Sequence, residues 1–225
     1  VMRARAIPEL ERICRDARLF VSMPFLDGIT PRILKAADRS ETYATDEPLE
    51  RRHGIFRVDE VGLPVFDHGG LYGDGVFEGV LITSGRVFTW REHLARFRRS
   101  AEKVNIAIPY SDVDLTAQLL SAVRAMGLQD NERGYIRLVA TRGIGDLGIN
   151  PSMCVGATLY ALTAKIQLYP EAVYQSGIAL AVARSVRRPS TRMLDPNVKS
   201  CNYLNNIMGL VATREEGCLE TLMLT

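Results

Sequence analysis

The sequence predicts a mixed α/β protein with two lobes. Gly134–Thr141 alternates between two faces as a strand does, and residues 89–126 hold two segments with apolar residues at helical spacing. Past a connector at Pro170–Gly177, a fresh apolar strand opens at Ile178. The 225 residues, 47% apolar and 24% charged, are enough for a sizeable core.

The chain divides into three parts. Residues 1–53 form an extension: Pro8 can open a helix reaching Leu19, Ile29–Ala37 can form another, and Arg39–Arg52 reads as a polar linker. Residues 54–169 form a small α+β domain. In it Ile55–Val58 and Leu63–Phe66 are expected strands, followed by five glycines within Gly69–Gly79, a density that implies tight turns or close backbone approach. Val76–Ile82 resumes a strand, Gly85 marks a hairpin, and Arg86–Phe88 returns.

Thr89 and Glu92 have the spacing of a capping box for the next helix. Leu94, Phe97, Ala101 and Val104 make its apolar stripe. Arg96 falls off that stripe and belongs in solvent unless it reaches an anion. His93 is expected to be packed and hydrogen-bonded, and Glu78 to be structural. A second helix, Asp112–Met126, buries Leu115, Leu119, Val123 and Met126.

Tyr135, Arg137, Val139 and Thr141 share one face of the strand at 134–141. An arginine buried in an apolar strand needs an anionic or hydrogen-bonding partner, and a ligand carboxylate is one candidate. Arg142–Pro151 is a glycine-rich loop without dinucleotide-fingerprint spacing, and Gly156–Ala164 is a strand. Residues 170–225 begin the second lobe, with strands at Ile178–Ala183 and Glu220–Thr225.

Several function classes drop out. The net charge of +2 gives no basic field for nucleic acid, and Arg184–Arg188 reads as a solvated turn. Cysteines at 14, 154, 201 and 218 form no C-x-x-C pair, and three histidines make no metal-ligand spacing. No apolar run reaches membrane-spanning length, so a cytoplasmic protein is expected.

Lys199 is the most informative residue. Pro196 and Asn197 favour a turn before it, and Ser200 or Asn202 can start a helix whose apolar residues are Leu204, Ile207, Met208 and Val211, with Gly217 ending it. Lysine just outside a helix start faces the positive end of the dipole, which with desolvation favours the neutral amine that can attack a carbonyl cofactor.

Phe66–Gly79, Glu92–Arg96, Ser100-Ala101, Tyr135–Arg137, Gly143–Pro151 and Lys199–Asn206, in this order and at these separations, resemble the class IV aminotransferases of pyridoxal-phosphate fold type IV. That resemblance covers residues 54–225 and implies a two-lobed fold with pyridoxal 5'-phosphate as cofactor. It implies that Lys199 is the Schiff-base lysine and proton shuttle, that Arg96 holds the phosphate, and that Tyr203 approaches the cofactor ring oxygen. Tyr72, Phe77, Tyr135 and Arg137 match the substrate-binding part. Tyr135 and Arg137 are most like the branched-chain group, which moves the amino group from a branched-chain L-amino acid to 2-oxoglutarate.

D-amino-acid aminotransferases and aminodeoxychorismate lyase are the alternatives within the fold. Gly143–Pro151 lacks the arginine of the D-amino-acid enzymes, whereas the four-residue step from Lys199 to Tyr203 is shorter than in some branched-chain enzymes. A homodimer of soluble subunits is implied; the glycine-rich surroundings of His68 are compatible with a place near its boundary. The acidic partner of the pyridine nitrogen and the later phosphate-binding loops lie beyond Thr225 in the resembling enzymes. The second lobe is therefore expected to be incomplete, as part of a normal enzyme or, alternatively, as an inactive scaffold. Cys201, close to Lys199, is a candidate oxidant sensor.

Overall fold

The computed structural model describes residues 63–129, 132–165, 169 and 172–225, together with the backbones of 18–22, 53–57 and 171. Expected helices and linker within 1–17 and 23–52 lie outside the described residues.

The first lobe is an antiparallel sheet of six strands. β1 (Arg18–Ser22), β2 (His53–Arg57), β3 (Gly75–Thr83), β4 (Arg86–Val87), β5 (Gly134–Thr141) and β6 (Thr158–Lys165) lie in the order β2-β1-β6-β5-β3-β4. Arg18 and Leu19 pair with Thr163 and Leu162, so the helix expected to reach Leu19 is instead a strand at its end. Leu63–Phe66 is not a strand either: the Asp67 N–H donates to Pro64 O and closes a turn. The five-residue helix α1 (His68–Tyr72) follows, with Asp67 accepting from the Gly69 amide and left-handed Gly73 ending it.

Helices α2 (Trp90–Lys103) and α3 (Asp112–Ala125) cover one face of the sheet. The apolar core is drawn from Val76, Val80 and Ile82 of β3, Ile136, Leu138 and Ala140 of β5, and Leu159 and Ala161 of β6. They meet Leu94, Phe97 and Ala101 of α2 and Leu115, Leu119 and Ala122 of α3. Complete burial of a side chain such as Phe97 is worth about 1.5–3 kcal/mol. The capping box does not form: Thr89 sits in the left-handed region at φ 44° and makes no side-chain cap bond. At α3 the cap is Ser111, which accepts from the Asp114 amide.

The second lobe holds α4 (Glu171–Ser176), where a connector was expected, then β7 (Leu180–Arg187), α5 (Leu204–Thr213) and β8 (Glu220–Leu224). β7 and β8 run parallel, as a β-helix-β crossover allows. The helix start expected at Ser200 or Asn202 lies later, at Leu204, because Ser200 bridges to Val76 of β3 and Cys201 donates its amide to Gly75 O at 2.7 Å. Those residues are spent on a strand-like pairing. A 3-10 turn at Arg214–Glu216 and left-handed Gly217 close the α5 segment. Its expected apolar set, Leu204, Ile207, Met208 and Val211, is exposed among the described residues.

Candidate active site

β3 organises the site because its two faces do different work. Val76, Glu78, Val80 and Ile82 face the helices; Phe77 and Gly79 face the opposite side, in register with Val139 and Arg137 of β5. The lysine segment lies against the first half of β3, where β4 does not reach. There the Phe77 amide donates to Lys199 O at 2.9 Å.

This pairing brings most of the expected site residues together. Lys199 Nζ is 4.5 Å from the centre of the Phe77 ring and donates to the Tyr203 hydroxyl at 3.3 Å. The Phe77 and Tyr203 rings meet edge to face at 5.1 Å. Arg137 is exposed, not buried as its strand position suggested; its guanidinium lies over Phe77 at 4.6 Å and near Tyr135 at 5.6 Å. Aromatic faces thus take the place of the expected buried anion. Tyr72 stands apart: its hydroxyl donates to Leu147 O, and its ring packs edge-on against His68.

Arg96 leaves the apolar stripe of α2 because an anion waits for it. Its Nε and Nη2 donate to Glu78 at 2.6 and 2.7 Å, and Glu78 also meets His93 Nδ1 at 2.8 Å. Glu78 is completely buried. Burial opposes its ionisation, but the hydrogen bonds and charges of Arg96 and His93 outweigh it and hold the carboxyl below its ordinary range. Sequence reasoning kept Glu78 as structural without naming its partners. The available signal was a glutamate at the buried-face parity of an apolar strand.

A cavity of about 410 Å³ opens beside these groups, within the ~300–1,000 Å³ range usual for ligand sites. Arg96, Arg99 and Arg188 line it together with Lys199, Tyr203 and Asn205. Asn205 donates to Arg187 O at 2.9 Å, but its Oδ1 is buried without a hydrogen-bond partner among the described residues. Arg99 was missed in the sequence because an isolated polar residue carries no pattern. Arg188 was set aside with 184–188 as a solvated turn, whereas β7 runs to Arg187 and Arg188 lines the cavity. Asn205 lay inside the Lys199–Asn206 match without a role of its own.

His68 is buried, with Nε2 2.9 Å from Asp146 O and Nδ1 3.3 Å from Cys154 Sγ. Burial pushes the Cys201 thiol up to about 11, opposite to what an oxidant-sensing thiolate needs. Tyr160, on β6, is likewise pushed up to about 12 by burial. No group of His, Cys, Asp and Glu able to hold a metal occurs among the described residues. None of the described helices is long and apolar enough to cross a membrane.

The profile of the Amino-transferase class IV family matches residues 75–225, which contain all of these groups except Tyr72 and His68. The chain belongs to that family. The chain is 40% identical over 169 residues to a provisionally named branched-chain-amino-acid aminotransferase of Methanocaldococcus jannaschii, covering 74% of this chain and 56% of the relative. It is 30% identical over 155 residues to a chloroplastic D-amino-acid transaminase of Arabidopsis thaliana, covering 69% and 39%.

Among solved structures, a T.th. branched-chain amino acid aminotransferase with pyridoxamine 5'-phosphate superposes with a TM-score of 0.68 at 26% identity, covering 76% of this chain and 56% of that one. The branched-chain aminotransferase of Thermoproteus uzoniensis with norvaline gives 0.64 at 29% identity, covering 76% and 57%. The fold is therefore that of the fold type IV aminotransferases. The chain spans 56% of the Methanocaldococcus jannaschii relative, 39% of the Arabidopsis thaliana one, and 56% and 57% of the two solved structures.

Proposed function

We propose that this chain carries the reactive-lysine portion of an aminotransferase that moves the amino group of a branched-chain L-amino acid to 2-oxoglutarate with pyridoxal 5'-phosphate. The observation that carries the reading is Lys199 Nζ, held by the Tyr203 hydroxyl at 3.3 Å beside a cavity lined by three arginines. These residues fit the cofactor. The arginines suit a phosphate, the amine suits an aldehyde, and the unpartnered Asn205 Oδ1 offers an acceptor.

When bound, the cofactor supplies an electron sink for the charge that develops at the substrate Cα. Lys199 would hold it through Nζ and would carry the Cα proton at that same atom. Tyr203 holds Nζ in reach through its hydroxyl, which would also be free to accept a hydrogen bond from the cofactor ring or donate one to it. Arg96 uses Nε and Nη2 on Glu78, leaving its remaining amino group to meet the phosphate. Arg137 binds the substrate carboxylate from the open face of the sheet. Phe77 and Tyr135 give the apolar walls, whereas Tyr72, held by Leu147 and His68, has no part in them. Apolar walls discriminate by only about 1–3 kcal/mol per methylene, so related aliphatic amino acids will overlap. Two copies form the working unit in this reading.

The test is amino transfer by the cofactor-loaded enzyme from L-leucine, L-valine, D-alanine or aminodeoxychorismate. Preference for L-leucine or L-valine is expected, together with a cofactor absorbance band that Lys199→Ala abolishes. Preference for D-alanine would transfer the reading to the D-amino-acid group. Persistence of the band in Lys199→Ala would remove Lys199 from its role.

A further inference from the structure

Helix α2 presents three residues at steps of four and three toward the segment that carries Lys199: Arg96, Ser100 and Lys103. Residues so spaced share one helix face. Arg96 lines the cavity, Ser100 Oγ accepts from the Lys199 N–H at 3.2 Å, and Lys103 Nζ is paired with Asp195. On the other side, the Lys199 carbonyl accepts from the Phe77 amide at 2.9 Å. The main chain of Lys199 is thus held from both directions, its donor by the helix and its acceptor by β3.

Ser100 is completely buried, among the apolar residues of α2. Alanine is the better helix former, and a buried hydroxyl without a partner costs free energy. The hydrogen bond described for Ser100 Oγ is the one to Lys199, 99 residues away. Removing it would strip the Lys199 amide of its partner.

We propose that Ser100 is a positioning residue, which fixes the root of the Lys199 side chain relative to Arg96. It does not touch the cofactor. Because Arg96 and Ser100 lie four residues apart on the same helix, ~6 Å along its axis, the spacing between phosphate anchor and lysine root is set by one rigid element. The catalytic consequence rests on the reading of Lys199 and Arg96 given above; the placement of the main chain does not.

The experiment compares the unsubstituted protein with Ser100→Ala, Ser100→Cys and Ser100→Thr. Amide hydrogen exchange at Lys199 is read without cofactor, and borohydride trapping of pyridoxal phosphate on Lys199 is read separately. Loss of a typical hydrogen bond raises exchange about 2- to 10-fold, so Ala and Cys should raise it at Lys199 by that much, whereas Thr, which keeps the hydroxyl, should restore protection. In cofactor-loaded enzyme the same Ala and Cys variants should lower kcat while leaving KM for the oxo acid unchanged. Unchanged exchange at Lys199 in Ser100→Ala overturns the proposal. So does an equal rise in the Thr and Cys variants, which would make side-chain shape, not the hydroxyl, responsible. Absence of trapping in the unsubstituted protein would instead defeat the cofactor reading and leave the exchange result standing.

Discussion

Glu78 and Arg96 form a two-pronged ion pair in which the carboxylate is completely buried while the arginine side chain is 46% exposed. The pair joins β3 to α2 and points the guanidinium toward the cavity. Its carboxyl titrates below the ordinary value of 4.5, because Arg96 and His93 outweigh the effect of burial. A depressed native pKa contributes stability that is present above the unfolded value and lost as pH falls through the native one. Urea unfolding should therefore show stability declining below about pH 4.5, and Glu78→Gln should flatten that decline. At pH 7, Glu78→Ala should cost about 1–3 kcal/mol, since His93 and Arg96 lose their acceptor.

Tyr203→Phe keeps the ring edge on Phe77 but releases Lys199 Nζ. A typical hydrogen bond is worth about 0.5–1.5 kcal/mol, so kcat should fall about 2- to 10-fold. Steady-state kinetics with L-leucine checks this. Cofactor attachment, followed by absorbance, should survive because the amine remains.

Two glycines lie where no side chain fits. Gly143 has φ +91°, and an added Cβ would stand 1.7 Å from Gly156 O. Gly143→Ala should destabilise by more than about 2 kcal/mol, seen as a lowered urea midpoint. At Gly79 an added Cβ would stand 2.2 Å from the Tyr135 hydroxyl. There the far end of a side chain has to move, so Gly79→Ala should chiefly raise KM for the amino acid by distorting the wall beside Arg137, and should change kcat less.

Lys103 holds the Asp195 carboxyl down at about 2 against an ordinary 3.8, helped by the Asn197 amide and side chain. Lys103→Met should raise that titration toward 3.8, as read by NMR of the carboxyl carbon. The Asn197 contacts should keep it from arriving fully.

Cys201 should resist alkylation at pH 8 in the folded protein and react readily after unfolding, because burial keeps the thiol protonated up to about 11. Mass mapping after iodoacetamide treatment reads this directly.

The sheet and helices of residues 75–141 were legible because each has one dry face. Residues 134–141 alternate cleanly, and Leu94, Phe97 and Ala101 recur at helical spacing. Features set by distant partners were not legible. Thr89-x-x-Glu92 satisfies a local pattern, yet the tight turn after β4 places Thr89 in the left-handed region. Ser200 and Asn202 read locally as helix starts, but the edge of β3 claims Ser200 and Cys201 as a short pairing segment. In the site, Lys199, Arg96 and Tyr203 were visible through motif resemblance. Ser100's hydroxyl contact was not, because nothing in α2 alone announces a partner 99 residues on.

That separation has a kinetic side. The first-lobe sheet can complete its pairing before the Lys199 segment finds the open edge of β3, and the loop that must close is long, so its entropic cost comes before any contact repays it. Lys199 therefore reaches Phe77 and Ser100 only when its own segment has paired with β3. A chain whose segment has not closed keeps the Glu78–Arg96 pair but leaves the lysine of the proposed site unseated.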